Sequence, residues 1–228
     1  MVVSVHQPQY IPWLGFFDKI DKSDVFVFLD NVQYKKREFQ NRNKIRTKNG
    51  WMWLTVPVIS KGRYTQKIKD VQIDNTADWP ITHLKSIKLN YCRAKFFKKY
   101  FDFFQGVFNK RWVKLIDLNI YIIKHLLDFL GIKKEIFLES GLKINSEKTQ
   151  RIIDICKKLN ADTYLSGQGA KEYLEESLFV KNKIKLVYQE FLHPEYNQLF
   201  NPFIRNLSVI DLLFNCGNDS LEIIRRIK

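Results

Sequence analysis

The sequence predicts an α/β protein, a mostly parallel sheet flanked by helices with a helical insertion. Three observations carry this. Val2 to Ile20 (VVSVHQPQYIPWLGFFDKI) reads as a buried strand, a polar loop and a helix, and Asp24 to Leu29 (DVFVFL) follows as a second strand. That is a βαβ unit. Strand and helix patterns alternate again after residue 131, and between them residues 78–131 are helical in pattern throughout. The expected organisation is one domain over 1–228. Its α/β core is 1–77 plus 132–228, and 78–131 is the insertion.

Each element has its own signal. Val2, Val3 and Val5 form the first strand, and Leu14, Phe16, Phe17 and Ile20 give the next helix its apolar face. Pro8 and Pro12 stiffen the loop between them and bias Gln7 and Ile11 toward extended backbone. Lys35 to Lys48 is basic without a clean apolar period, so it reads as a loop, and Asn49-Gly50 marks a turn. Trp51 to Val58 alternates as a strand that Pro57 ends or places at an edge. Lys67 to Ile73 reads as a further strand. Asp78 caps a helix with Pro80 in its first turn. Phe96 to Phe108 repeats aromatics at core-helix spacing. Trp112 to Leu130 is a second helix, stopped by Gly131. Later come strands at 136–138, 162–165 and 184–187, and helices at 146–159 and 170–178. Ser208 with Asp211 opens another helix as a capping box. Asp219 with Glu222 caps the last one, from Leu221 to Ile227.

Composition narrows the function classes. Lys and Arg number 38 against 24 Asp and Glu, a formal charge of +14. Such a charge attracts phosphates, nucleic acid or anionic surfaces. Lys, Ile, Asn and Phe are also enriched together, as AT-rich coding produces, and the two readings weigh evenly. Cys92, Cys156 and Cys216 are widely spaced without CxxC, so buried free thiols are expected and no disulfide framework or zinc site. No signal peptide and no membrane span are expected, which points to the cytoplasm without stable membrane insertion. GxSxG, HExxH and a catalytic-cysteine context are missing, which disfavours the familiar serine, zinc and thiol hydrolases.

Four constellations remain. His6, Gln7, Tyr10 and Trp13 follow the first strand, and Asp30, Gln33 and Tyr34 follow the second. Ligands of open α/β sheets bind past the carboxyl ends of strands, so these groups are expected to meet. His6 suits general acid–base work, with Asp30 orienting it. Asn41, Arg42 and Lys44, with Lys36 nearby, suit recognition of phosphate or sugar hydroxyls. Ser166, Gly167 and Gly169, ahead of Tyr173, form a strand–turn–helix that can hold an anion. His193 and Tyr196 flank Glu195 in a late loop, where His193 and Glu195 could titrate together. Each has a plainer reading: turn residues, a solvated basic loop, a tight turn, loop surface.

The segments HQPQYIPWLGFFDKI, DVFVFLDNVQYKK, NRNKI, WLTVPV, ADTYLSGQGAKEYL, HPEY and LSVIDLLFNCG together resemble the WbqC-like protein family, and the resemblance spans nearly the whole chain. It implies O-antigen or surface-polysaccharide biosynthesis and a glycine transferase that acylates the amino sugar of a sugar nucleotide. Under that implication His6, Asp30 and Asn41 are catalytic, with Asn41 or the N–H groups after Ser166 stabilising an oxyanion. Arg42, Lys44 and Lys36 hold a diphosphate, and no metal is assigned. ATP or glycyl-tRNA would supply the activated donor. The strand, His-Pro loop, helix and strand order also looks like nucleotidylyltransferase-type Rossmannoid folds, including pantothenate synthetase, which works through an acyl-adenylate. The chain departs from them in having no HxGH. A nucleotidylyltransferase or amide ligase and an RNA-binding module are the alternatives. The sugar, the donor and the oligomeric state stay open.

Overall fold

A computed structural model describes residues 1–226. Seven strands form two sheets. Strands β1 (Val2–His6), β2 (Val25–Phe28), β5 (Glu135–Leu138), β6 (Thr163–Ser166) and β7 (Lys185–Tyr188) make a wholly parallel sheet in the order β5-β2-β1-β6-β7. Strands β3 (Arg42–Thr47) and β4 (Gly50–Thr55) form a separate antiparallel hairpin.

The order has a physical consequence. From β1 the chain adds strands outward on one side, β2 then β5. It then crosses back and adds β6 and β7 on the other side. Neighbouring connections leave the sheet in opposite directions at β1 and β6, and this reversal opens a crevice above their carboxyl ends.

The central strands β1 and β2 are apolar and buried because helices cover both faces of the sheet there. Phe26 and Phe28 enter one core with α1 (Leu14–Asp21), α2 (Trp79–Tyr91), α3 (Phe97–Phe108), α4 (Leu115–Leu130), α8 (Val209–Cys216) and α9 (Ser220–Arg225). Val25 and Val27, with Val3 and Val5, enter a second core with α5 (Glu139–Leu142), α6 (Lys148–Lys158) and α7 (Glu176–Lys181). Helices α2 to α4 thus share one apolar cluster with α1, α8 and the hairpin residues Ile45 and Leu54. Among the described residues no helix is long and apolar enough to cross a membrane.

Several local expectations change. The basic stretch holds β3. Only Ile45 marks its inner face, because Asn43 beside it turns inward to bond backbone carbonyls of the first loop. Residues 67–73 carry a 3-10 turn at Ile68–Asp70 and isolated bridges, not a strand. The helix expected from 170 starts only at Glu176, after a 3-10 turn at Gln168–Ala170. Ser208 does cap α8, but Asp211 is no capping-box partner; its carboxylate bonds Tyr91, Tyr196 and Gln198. Asp78 and Asp219 stand at N-cap positions without a side-chain cap. Cys156 is buried and Cys216 half-buried, whereas Cys92 is exposed at the end of α2. The expected end of the last helix at Ile227 lies outside the described residues.

Helix α1 depends on one close approach. A Cβ on Gly15 would collide with the Trp13 indole, which folds back over it. Gly15→Ala is therefore expected to displace Trp13 from Phe191 and cost about 1–3 kcal/mol. Urea unfolding followed by tryptophan fluorescence checks this.

Candidate functional site at the strand switch point

The crevice is occupied by a cleft of about 590 Å³. His6 and Gln7 from the end of β1 and Ser166, Gly167 and Gly169 from the end of β6 form its floor. Tyr164, Ala170, Tyr173 and Leu174 line one wall, and Leu29 and Val32 another. Lys19, Lys35, Lys148 and Arg151 line it as well, with Glu38 the one acidic residue. A concave site with four cations and one carboxylate favours an anionic ligand.

His6 has a defined tautomer. Its Nδ1 lies 2.9 Å from the carbonyl of Gln7. A carbonyl can only accept, so Nδ1 carries the hydrogen and Nε2 keeps its lone pair. Burial, and then the charge of Lys19, push the imidazole pKa down to about 3. His6 is neutral at any ordinary pH.

Lys19 is the residue that the sequence pattern conceals. It sits in α1 among Phe16, Phe17 and Ile20 and is 3% exposed. Its Nζ donates to the carbonyl of Val5 at 3.1 Å and faces Gly167 across the crevice. Burial lowers its pKa from 10.5 to about 7. In the sequence Lys19 stands between Asp18 and Ile20, two residues past Phe17, and nothing in the helix pattern marks it as buried.

Arg151 is held from behind. Its Nε donates to the carbonyl of Ser146 at 2.9 Å and lies 3.4 Å from Glu139, which is itself buried. Among the described residues its terminal nitrogens have no hydrogen-bond partner, which leaves the planar end of the guanidinium for a ligand. Burial raises the Glu139 pKa, and Arg151 opposes that rise.

The other sequence-predicted residues divide by place. Gln7 accepts from Gln40 at 2.5 Å, and Gln40 in turn accepts from the Lys35 N–H, tying the cleft floor to the basic loop. Asp30 is buried and accepts from the Ser140 N–H at 2.8 Å. It forms no hydrogen bond to His6, so the ring is oriented by Gln7. Asn41 is spent on the Val56 carbonyl at 2.8 Å and does not line the cleft. Tyr10 is fully buried and bonds His83, whose pKa burial lowers to about 4. Trp13 packs on Phe191. Gln33 donates to the Tyr64 carbonyl. Burial raises Tyr34 to about 12.

Lys36, Arg42 and Lys44 stand outside the cleft lining, over the rings of Tyr64, Trp53 and Trp51 respectively. His193 donates from Nδ1 to the Pro194 carbonyl and accepts the Asn206 N–H at Nε2, while Glu195 pairs with Arg205. The two do not pair with each other. Tyr196 donates to Asp211 at 2.8 Å. The anion site expected from a helix amino terminus after Ser166 is not formed, because only a 3-10 turn follows β6 there. Among the described residues no group of three or more His, Cys, Asp or Glu is placed to hold a metal ion.

The loop from Gln7 to Trp13 is pinned from outside. Asn43 of β3 donates to the Ile11 carbonyl at 2.8 Å, and Asn119 of α4 donates to Gln40 at 2.8 Å and toward Pro8. Ile11 has φ +40°, against its expected extended backbone. A β-branched residue at positive φ is strained and persists only when its surroundings hold it. Asn43→Ala is expected to cost about 1–3 kcal/mol by freeing a buried carbonyl, measured by thermal unfolding.

The WbqC-like protein family matches residues 7–223. "Uncharacterized protein Rv1507c" of Mycobacterium tuberculosis is 34% identical over 225 residues, covering 98% of this chain and 97% of that protein. No solved structure matches. The chain belongs to the WbqC-like protein family.

Proposed function

We propose that the protein is a transferase that acylates the amine of a phosphorylated amino sugar, a glycyl transfer to a sugar nucleotide in surface-polysaccharide assembly. The observation that carries this reading is the pairing, in one switch-point cleft, of a near-neutral buried amine with a cationic wall. Lys35, Lys148 and Arg151 suit the diphosphate. Lys19 suits the proton transfer.

The reaction joins an activated acyl group to an amine. The sugar nitrogen attacks the acyl carbon, the bond to the leaving group breaks, and the nitrogen loses a proton. A base is most effective when its pKa lies near the operating pH. Lys19, at about 7, meets that condition, and His6, at about 3, does not. In this mechanism neutral Lys19 takes the proton, and the His6 Nε2 accepts a hydrogen bond that orients the incoming amine. Ser166 lines the same cleft, and its hydroxyl, which donates to the Gly167 carbonyl, would have to turn toward the substrate to stabilise the developing oxyanion.

The test is an incubation of the protein with a UDP-linked amino sugar and glycine, with ATP in one arm and charged glycyl-tRNA in another. Mass spectrometry is expected to find a glycyl adduct on the sugar. Pyrophosphate release in the ATP arm would assign an acyl-adenylate. No adduct with either donor across a panel of amino sugars would contradict the reading. His6→Ala is expected to raise KM for the amino sugar more than it lowers kcat.

A further inference from the structure

The hairpin β3–β4 carries a second surface, on the side away from the core. In its register Arg42 faces Thr55, Lys44 faces Trp53 and Arg46 faces Trp51. Ile45 and Leu54 point into the core, so Arg42, Lys44, Trp51 and Trp53 share the outer face. Arg46, on the same face, is buried and donates to the carbonyls of Thr47, Gly50 and Pro202. Arg42 lies 4.2 Å from the Trp53 ring and Lys44 lies 4.2 Å from the Trp51 ring. Trp51 is 44% exposed, and Phe39 packs beside Trp53 with 37% exposure.

The electrostatics of this face are one-sided. Among the described residues no carboxylate pairs with Arg42 or Lys44. Lys35, Lys36, Arg37 and Lys48 add positive charge along the same stretch, and Glu38 is its one acid. Tyr64 is 72% exposed, with Lys36 over its ring.

We propose that this face binds single-stranded nucleic acid, with bases stacking on Trp51 and Trp53 and phosphates meeting Arg42 and Lys44. Alternating cations and aromatic rings serve both halves of a nucleotide, and stacking tolerates any base. A duplex keeps its bases stacked internally and offers the indoles nothing. A second copy of this chain would bring like charge against like charge. The surface stands independently of the acyl-transfer reading, since neither tryptophan lines the cleft.

The test uses the intact chain and a fluorescent oligouridylate of roughly 12 nucleotides, a length that spans a site of this kind. Anisotropy titrations run at several salt concentrations, with a duplex of equal length beside them. The single strand is expected to bind more tightly than the duplex and to quench tryptophan emission. Trp51→Ala with Trp53→Ala is expected to weaken binding roughly thirtyfold or more with the salt slope kept. Arg42→Gln and Lys44→Gln are each expected to lower that slope by about 0.7. Circular dichroism checks that the variants remain folded. Absence of binding at low salt, equal binding of the duplex, or folded variants that bind like the parent would overturn the proposal. So would a self-association through this face, seen by sedimentation and abolished by the tryptophan variants.

Discussion

Lys19→Met is expected to slow turnover sharply while raising stability below pH 7. Methionine matches the length and apolar setting of the stem among Phe16, Phe17 and Ile20 but carries no charge to bury. The sign follows from linkage. The folded pKa is lowered from 10.5 to about 7. Below pH 7 both the folded and unfolded chains hold the proton, and the fold bears the full penalty of the buried ammonium. As pH rises from 7 to 10.5 the folded chain gives up the proton first, the penalty shrinks, and above 10.5 it is gone. Lys19→Met should therefore gain about 2 kcal/mol or more at pH 6, after losing the bond to Val5, and little at pH 10. Urea midpoints at the two pH values measure this. Turnover should fall roughly a hundredfold to ten-thousandfold, the usual worth of a positioned base. In the parent protein kcat should rise with pH about an apparent pKa near 7.

Asp211→Ala is expected to be among the most destabilising single changes, at roughly 3–4 kcal/mol. The carboxylate is fully buried and accepts from Tyr91 at 3.0 Å, Tyr196 at 2.8 Å and Gln198 at 2.9 Å. Tyr91 also accepts the N–H of Arg46 at 2.8 Å, so one network ties α8, α2, β3 and the 196–198 loop together. Truncation leaves two buried hydroxyls without acceptors. Asp211→Asn keeps the volume and should cost less, because one oxygen still accepts. Denaturant unfolding of the two variants separates packing from hydrogen bonding.

The acid limb of stability has a different origin. His6 and His83 have folded pKa values near 3 and 4, below their ordinary 6.5. For these groups stability is full above pH 6.5 and falls as pH drops toward 4 and then 3, because the unfolded chain takes up the proton first. His6→Gln is expected to flatten that fall, read from thermal midpoints between pH 7 and pH 4.

The strand pattern of the core was legible because its physics is local. Val2–Val5 and DVFVFL are short apolar segments, and the middle of a parallel sheet buried on both faces demands them, while the 162–165 and 184–187 runs are short and rich in β-branched or aromatic residues. What the pattern could not carry is what depends on distant partners. The β3 strand has an inner face built partly from Asn43, whose value lies in carbonyls some thirty residues away. Asp211 looked like half of a capping box because its three partners lie in other elements. The site was legible in part. His6, Gln7, Ser166, Gly167, Gly169 and Tyr173 do meet in one cleft, as strand ends at a switch point should. Lys148 and Arg151 were unremarkable on an amphipathic helix, and Lys19 was hidden by its apolar neighbours. Conversely, the Tyr10 hydroxyl and the Asn41 amide nitrogen are groups that the fold consumes internally.

The central claim is that the crevice between β1 and β6 is where the amino sugar reacts. A crystal structure of the protein with a bound UDP-linked amino sugar tests it most directly. The diphosphate is expected against Lys148 and Arg151, with the sugar nitrogen within hydrogen-bond reach of Lys19. A sugar nucleotide bound elsewhere on the chain, with the crevice left to solvent, would contradict it.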